Sequence, residues 1–123
     1  MASRAFNWVR LDCAFSRNDK VLSLIERNEW RAIAVFGFAL GHCRDQKSKG
    51  FISRAALPLV HGRPKDAAAL VSERLWHPEP GGWLVNDWDQ YQESDQEIDA
   101  RSIRARSAAA VRWGPKNPEE SSE

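Results

Sequence analysis

A chain of 123 residues, 42% of them apolar, is one domain with a core of its own and a tail. No apolar run approaches the ~18 residues of a membrane span, and MASRAFNWVR has no apolar signal-peptide core, which points to a cytoplasmic protein without a membrane partner. The net charge of +1 argues neither for nor against nucleic acid, but its distribution is uneven. Met1 to Arg74 carries 13 Lys/Arg against 7 Asp/Glu, net +6, and Leu75 to Glu123 carries 5 against 10, net −5. Such asymmetry marks either a polyanion-binding face beside an acidic tail or a biased solvated surface. Six Trp and five Phe against one Met predict an aromatic core. Cys13 and Cys43 read as free thiols. Together with His42, His61 and His77 they make no metal-binding spacing, so no metal and no cofactor is expected.

In chain order, Trp8, Val9, Leu11, Cys13 and Phe15 alternate loosely, which predicts a strand over Asn7 to Asp12 that pairs with a later hairpin. Ser16 or Asn18 caps a helix to Glu26 with the stripe Val21, Leu22, Ile25. Asn28 caps a long helix, Glu29 to Asp45, apolar almost all round and therefore read as a buried spine. Gly37 and Gly41 share one of its faces. Helix-interior glycine is costly, so a close-packed neighbour or a dimer partner is expected against that face. DQKSKG is a polar turn, and Phe51-Ile52 a short strand. Ser53 caps a helix over Arg54 to Val60, His61-Gly62-Arg63 is a sharp turn with Gly62 at positive φ, and Pro64 opens a helix to Leu75 with the stripe Ala67, Leu70, Val71, Leu75. Leu75-Trp76 and Trp83 to Asn86 flank a Pro/Gly-rich loop and read as a hairpin. Trp76 and Trp83 read as core.

This order predicts an α+β, mostly helical fold: a winged helix-turn-helix with a small antiparallel hairpin or sheet and a C-terminal helix. Residues 1–91 form the winged-helix domain with its N-terminal strand extension. Residues 92–113 form a projecting helix opened by the capping box Ser94 to Glu97, and 114–123 a disordered acidic tail.

In a helix-turn-helix the N-terminal residues of the second helix meet the bases. That selects Arg63, Lys65 and Asp66, with Ser72 further along. Arg or Lys pairs with guanine, and Asp accepts from cytosine. Lys49, Arg54 and His61 lie where backbone phosphates would bind. Arg101, Arg104, Arg106 and Arg112 of the last helix suit phosphates or an acidic partner. The bland alternative for all of these is ordinary solvated charge.

The run GFIS…LPLV…ALV…LW…GGWLVNDWDQYQ, preceded by WVRLD, resembles a group of small winged-helix proteins of actinobacterial phages and prophages, described as replication-initiator-like or helix-turn-helix proteins. It is also similar to the N-terminal domain of DnaD-type replisome organisers. The resemblance covers roughly Asn7 to Arg106. It implies a DNA-associated protein of replication or transcriptional control in a bacterial host, with double-stranded DNA, a homodimer mate and a host or phage replication protein as partners. This chain departs from the group in its acidic EESSE ending, where members often carry a long basic tail. Its second helix is also poor in base-reading Arg, Asn and Gln.

No phosphate loop, nucleophile elbow, metalloprotease motif or catalytic Cys/His signature occurs, so no enzyme is expected. Two functions compete: DNA binding, and a docking or self-association module that has lost DNA. The acidic wing, with Glu79 and no Lys or Arg, speaks for the second.

Overall fold

The computed structural model describes residues 7–92 and 94–113. The chain divides at Gln92 into two compact units. The first is α+β and mostly helical, with one three-stranded antiparallel sheet. No described helix is long and apolar enough to cross a membrane.

The predicted strand over 7–12 does not form. The place beside the hairpin that it was expected to fill is taken by Phe51–Ser53. The Gln92 amide takes the place of a ladder instead. Arg10 N donates to its Oε1 at 2.9 Å, and its Nε2 donates to Arg10 O at 2.9 Å. A 3₁₀ turn, Phe15–Arg17, leads into α1, Asp19–Glu26, where Asn18 Oδ1 accepts from Lys20 N at 2.8 Å as the expected cap.

Helix α2, Trp30–Gln46, buries Ala32, Val35, Phe36, Ala39, Leu40 and Cys43. Two expectations fail here. Asn28 is not its cap: it sits at φ 60 and closes α1, while Glu29 takes the cap position with no side-chain bond. The helix is also not buried all round. Trp30 is 57% exposed and Phe38 52%, and Ala34, Gly37 and Gly41 are exposed beside them. The helix carries more apolar residues than one buried face can use.

After a turn with Lys47, Lys49 and Gly50 at positive φ, strand β1, Phe51–Ser53, begins. Ser53 Oγ accepts from Ala56 N at 3.2 Å, as expected, but the helix that follows, Arg54–Val60, is 3₁₀ rather than α. Pro58 lies inside it, where it has no N–H to give and would clash with an α-helical carbonyl. The positive φ of the next corner belongs to His61, at 63°, not to Gly62. Gly62 is required for space: a Cβ there would lie 2.5 Å from Leu57 Cδ1 and 3.3 Å from Val35 Cγ1.

Helix α3 runs Pro64–Ser72, with proline in the first turn as predicted. It stops before the expected Leu75 because Arg74 adopts φ 62. Strands β2, Trp76–Glu79, and β3, Gly82–Val85, pair in register from Trp76 opposite Val85 to Glu79 opposite Gly82. The expected six-residue loop is thus mostly strand, closed by Pro80-Gly81 with Gly81 at φ 84. Pro78 is tolerated because β2 is an edge strand. β1 pairs with the other side of β3, from Phe51 opposite Leu84 to Ser53 opposite Gly82. Trp76 and Trp83 are core, with ring centroids 5.5 Å apart. The short α4, Trp88–Tyr91, sets Trp88 beneath the Arg44 guanidinium, 5.4 Å from the ring.

Among the described residues, the second unit holds α5, Asp95–Trp113. Ser94 N donates to Glu97 Oε1 at 2.8 Å and Glu97 N to Ser94 Oγ at 3.1 Å, the capping box read from the sequence. The tail expected over 114–123 lies outside the described residues.

Candidate nucleic-acid interface

Three candidates, Arg63, Asp66 and His61, meet at the corner before α3. Arg63 caps the helix and Asp66 occupies its third position. Asp66 Oδ2 accepts from Arg63 N at 2.9 Å and from Arg63 Nε at 3.1 Å, and Oδ1 accepts from Arg63 Nη2 at 3.0 Å. Arg31, from α2, donates Nε to Asp66 Oδ2 at 3.2 Å and Nη2 to His61 O at 3.0 Å. The His61 ring meets Phe38 edge-on, with centroids 5.3 Å apart. The corner is thus pinned to α2 by one arginine.

This corrects the reading of Asp66. It was expected on the solvent face, yet its side chain is 0% exposed. Burial alone would push the carboxyl pKa up. The hydrogen bonds from the Arg63 side chain and amide, with the charges of Arg63 and Arg31, outweigh burial and leave the pKa below its ordinary value. Asp66 is therefore an ionised structural cap, buried out of reach of a base. It also places a negative charge in the first turn of α3, where a phosphate would otherwise sit. Arg63 remains half-exposed, but its charge is matched.

The outward strip of α3 is Lys65, Ala68 and Ser72. Lys65 is exposed. Ser72 Oγ donates to Ala69 O at 2.7 Å and accepts from Arg27 Nη1 at 3.1 Å, and Arg27 also pairs with Glu73 at 2.7 Å. Ser23 Oγ donates to the same Glu73 carboxylate. The C-terminal end of α3 is thereby tied to α1. Ala69, on the other side, is buried.

Arg54 lies apart from this corner cluster, with its guanidinium 5.1 Å over the Trp83 ring. It borders a shallow groove that runs past Leu57, Pro64 and Ala68 to Trp83, so the start of the 3₁₀ segment, α3 and β3 share one surface. Lys49 is exposed on the turn before β1. In the second unit Arg104 and Arg106 are exposed and Arg101 is half-buried, while the side chain of Arg112 lies outside the described residues.

Sequence reasoning missed Arg27 and Arg31, which hold α3 rather than face a ligand. A signal for the Asp66 role was present: Arg63 and Asp66 have the spacing of a helix cap and its third residue, just around the helix-opening Pro64. Nothing in the local pattern flagged the distant arginines. No family model, no curated protein and no solved structure matches this chain.

Proposed function

We propose that this chain is a winged-helix DNA-binding protein that acts in replication or transcriptional control of phage type. One observation carries the reading: the succession α2, β1, 3₁₀ segment, α3, β2, β3 with sheet order β1-β3-β2, in which α3 runs directly into the hairpin. In a winged helix these are the first helix, the first strand, the helix-turn-helix and the wing. The outward strip of α3 then enters the major groove, with Lys65 at its N-terminal end. Arg54 and Lys49 flank it as phosphate contacts. The net +6 of Met1 to Arg74 and the resemblance of the GFIS-to-DWDQY run support the same reading.

The test is fluorescence anisotropy with a random duplex of roughly 30 base pairs at low and near-physiological salt, since phosphate contacts make affinity fall steeply with salt. Micromolar binding with a steep negative salt slope is expected, and no binding at either salt overturns the reading.

The wing favours a second reading. Its tip is Glu79-Pro80-Gly81, without a cation to meet a phosphate. Together with the ionised Asp66 in the first turn of α3, it suits a docking module for a host or phage replication protein. Absence of duplex binding, with recovery of a defined protein complex, is the outcome that selects it.

A further inference from the structure

A cavity of about 300 Å³ opens within the first unit, between the segment before α1, α2, the base of the hairpin and α4. That volume is at the low end for small-molecule sites. Its floor is apolar. Phe36, Leu40, Val85 and Trp88 come from the core, Leu75 packs against them, and Phe15 stacks on Phe36 with ring centroids 5.6 Å apart. Such a floor takes apolar matter in preference to water, and its rings favour a flat partner.

The mouth is charged and balanced: Asp12 and Asp87 line it with Arg10 and Lys20. The amides beside them are already committed. Asn18 caps α1, Gln92 holds the Arg10 backbone, and Asn86 bonds Asp87 and the His77 ring. Recognition therefore falls to the ionic groups. Asp12 Oδ1 accepts from Ala14 N at 2.8 Å and Asp87 Oδ2 from Asn86 Nδ2 at 3.2 Å, so each exposed carboxylate keeps an oxygen for another donor. Lys20 Nζ donates to Arg74 O at 3.4 Å, a long bond that leaves two N–H groups for an anion.

We propose that this cavity binds a free α-amino acid with an aromatic or large apolar side chain. The side chain lies on the floor, the α-ammonium meets Asp12 and Asp87, and the α-carboxylate meets Lys20. A ligand with a single charge leaves one sign of the mouth unmatched, whereas a zwitterion answers both. The lining includes neither the outward strip of α3 nor the tip of the wing, so the site stands whether or not the chain binds DNA.

The experiment is an amide NMR titration of the full chain with L-phenylalanine. Saturable shifts at Leu40, Val85 and Trp88 are expected, with a dissociation constant in the millimolar range that suits a ligand of about a dozen heavy atoms. Phenethylamine, which lacks the carboxylate, and hydrocinnamate, which lacks the ammonium, should each bind at least about threefold more weakly, the scale of an exposed ion pair. Lys20→Gln should weaken phenylalanine and leave phenethylamine unchanged. Asp12→Asn with Asp87→Asn should weaken phenylalanine and leave hydrocinnamate no weaker. Asn keeps the side-chain acceptor and tolerates the positive φ of residue 87, so the fold is retained. Absence of saturable shifts up to the solubility limit of the amino acid overturns the proposal. So does equal affinity for the three compounds, or a Lys20→Gln effect that is as large for phenethylamine as for phenylalanine.

Discussion

Arg63 reaches Asp66 three times, through its amide at 2.9 Å, Nε at 3.1 Å and Nη2 at 3.0 Å. Arg31 adds a fourth bond from α2 at 3.2 Å. One buried carboxylate thereby caps α3, fixes the corner ahead of it and ties both to the longest helix of the first unit. Asp66→Ala removes the cap and leaves two guanidinium groups without their anion. Breaking a buried pair costs 3–5 kcal/mol, but both arginines are half-exposed and regain water. A loss of about 2 kcal/mol is the expectation, checked by urea unfolding. A loss under half a kilocalorie would mean that water replaces the cap at no cost.

The same carboxylate sets an acid limb of stability. Its folded pKa lies below the ordinary value because of Arg63 and Arg31, which overcome burial. A depressed folded pKa stabilises the fold above the unfolded value of about 4, and that stability disappears as pH falls through the folded value. Wild type should therefore lose stability below about pH 4 more steeply than Asp66→Asn. Parallel curves for the two proteins would assign the acid transition to other groups.

Two glycines respond in opposite directions to alanine. At Gly62 the new methyl meets Leu57 Cδ1 at 2.5 Å in the core, so Gly62→Ala should cost about 1–3 kcal/mol. At Gly37 it meets nothing within 4 Å, so Gly37→Ala should stabilise the monomer by up to about 1 kcal/mol through helix propensity. Thermal unfolding at low protein concentration compares them. Equal effects would mean that packing does not distinguish the two sites.

Residue spacing made some of this legible and left the rest hidden, for identifiable reasons. Caps are local, so Asn18, Ser53 and the Ser94–Glu97 box were readable. Trp76 and Trp83 were readable as core because each extends an apolar strand. The strand expected at 7–12 failed because the place beside β3 is held by β1, a pairing that local alternation of residues does not reveal. Asp66 was misplaced because its partner Arg31 lies 35 residues away. The α2 face was misread because apolar content does not say which residues face inward. For the candidate interface, Lys65 keeps its exposed place, and Asp66 is withdrawn from base contact by burial.

The thiols should react unequally. Cys13 is exposed and Cys43 is buried. Burial pushes the Cys43 pKa up, only partly opposed by the nearby polar groups of Ser48 and Gly50. The thiolate is the reactive form, so Cys43 is protected twice over. A thiol reagent at neutral pH should label Cys13 quickly and Cys43 only in denaturant. Rapid native labelling of Cys43 would show that the α2–β1 region opens readily.

Lys65 carries the sharpest test of the DNA reading. It is an exposed cation in the first turn of α3, and among the described residues no hydrogen bond or ion pair ties it to the fold. If it contacts a phosphate, Lys65→Ala should weaken duplex binding about equally across sequences and make the salt slope shallower by roughly 1. Lys65→Glu should weaken binding further, with unfolding midpoints unchanged because the site is solvated. If it reads a base, the loss should instead depend on sequence, at about 1–3 kcal/mol for the preferred site. Arg104→Ala with Arg106→Ala serves as the contrast, since both arginines are exposed on α5 in the other unit. A slope reduced only by the α5 pair would move the contact from α3 to α5. Slopes unchanged in every variant would remove both helices from the interface.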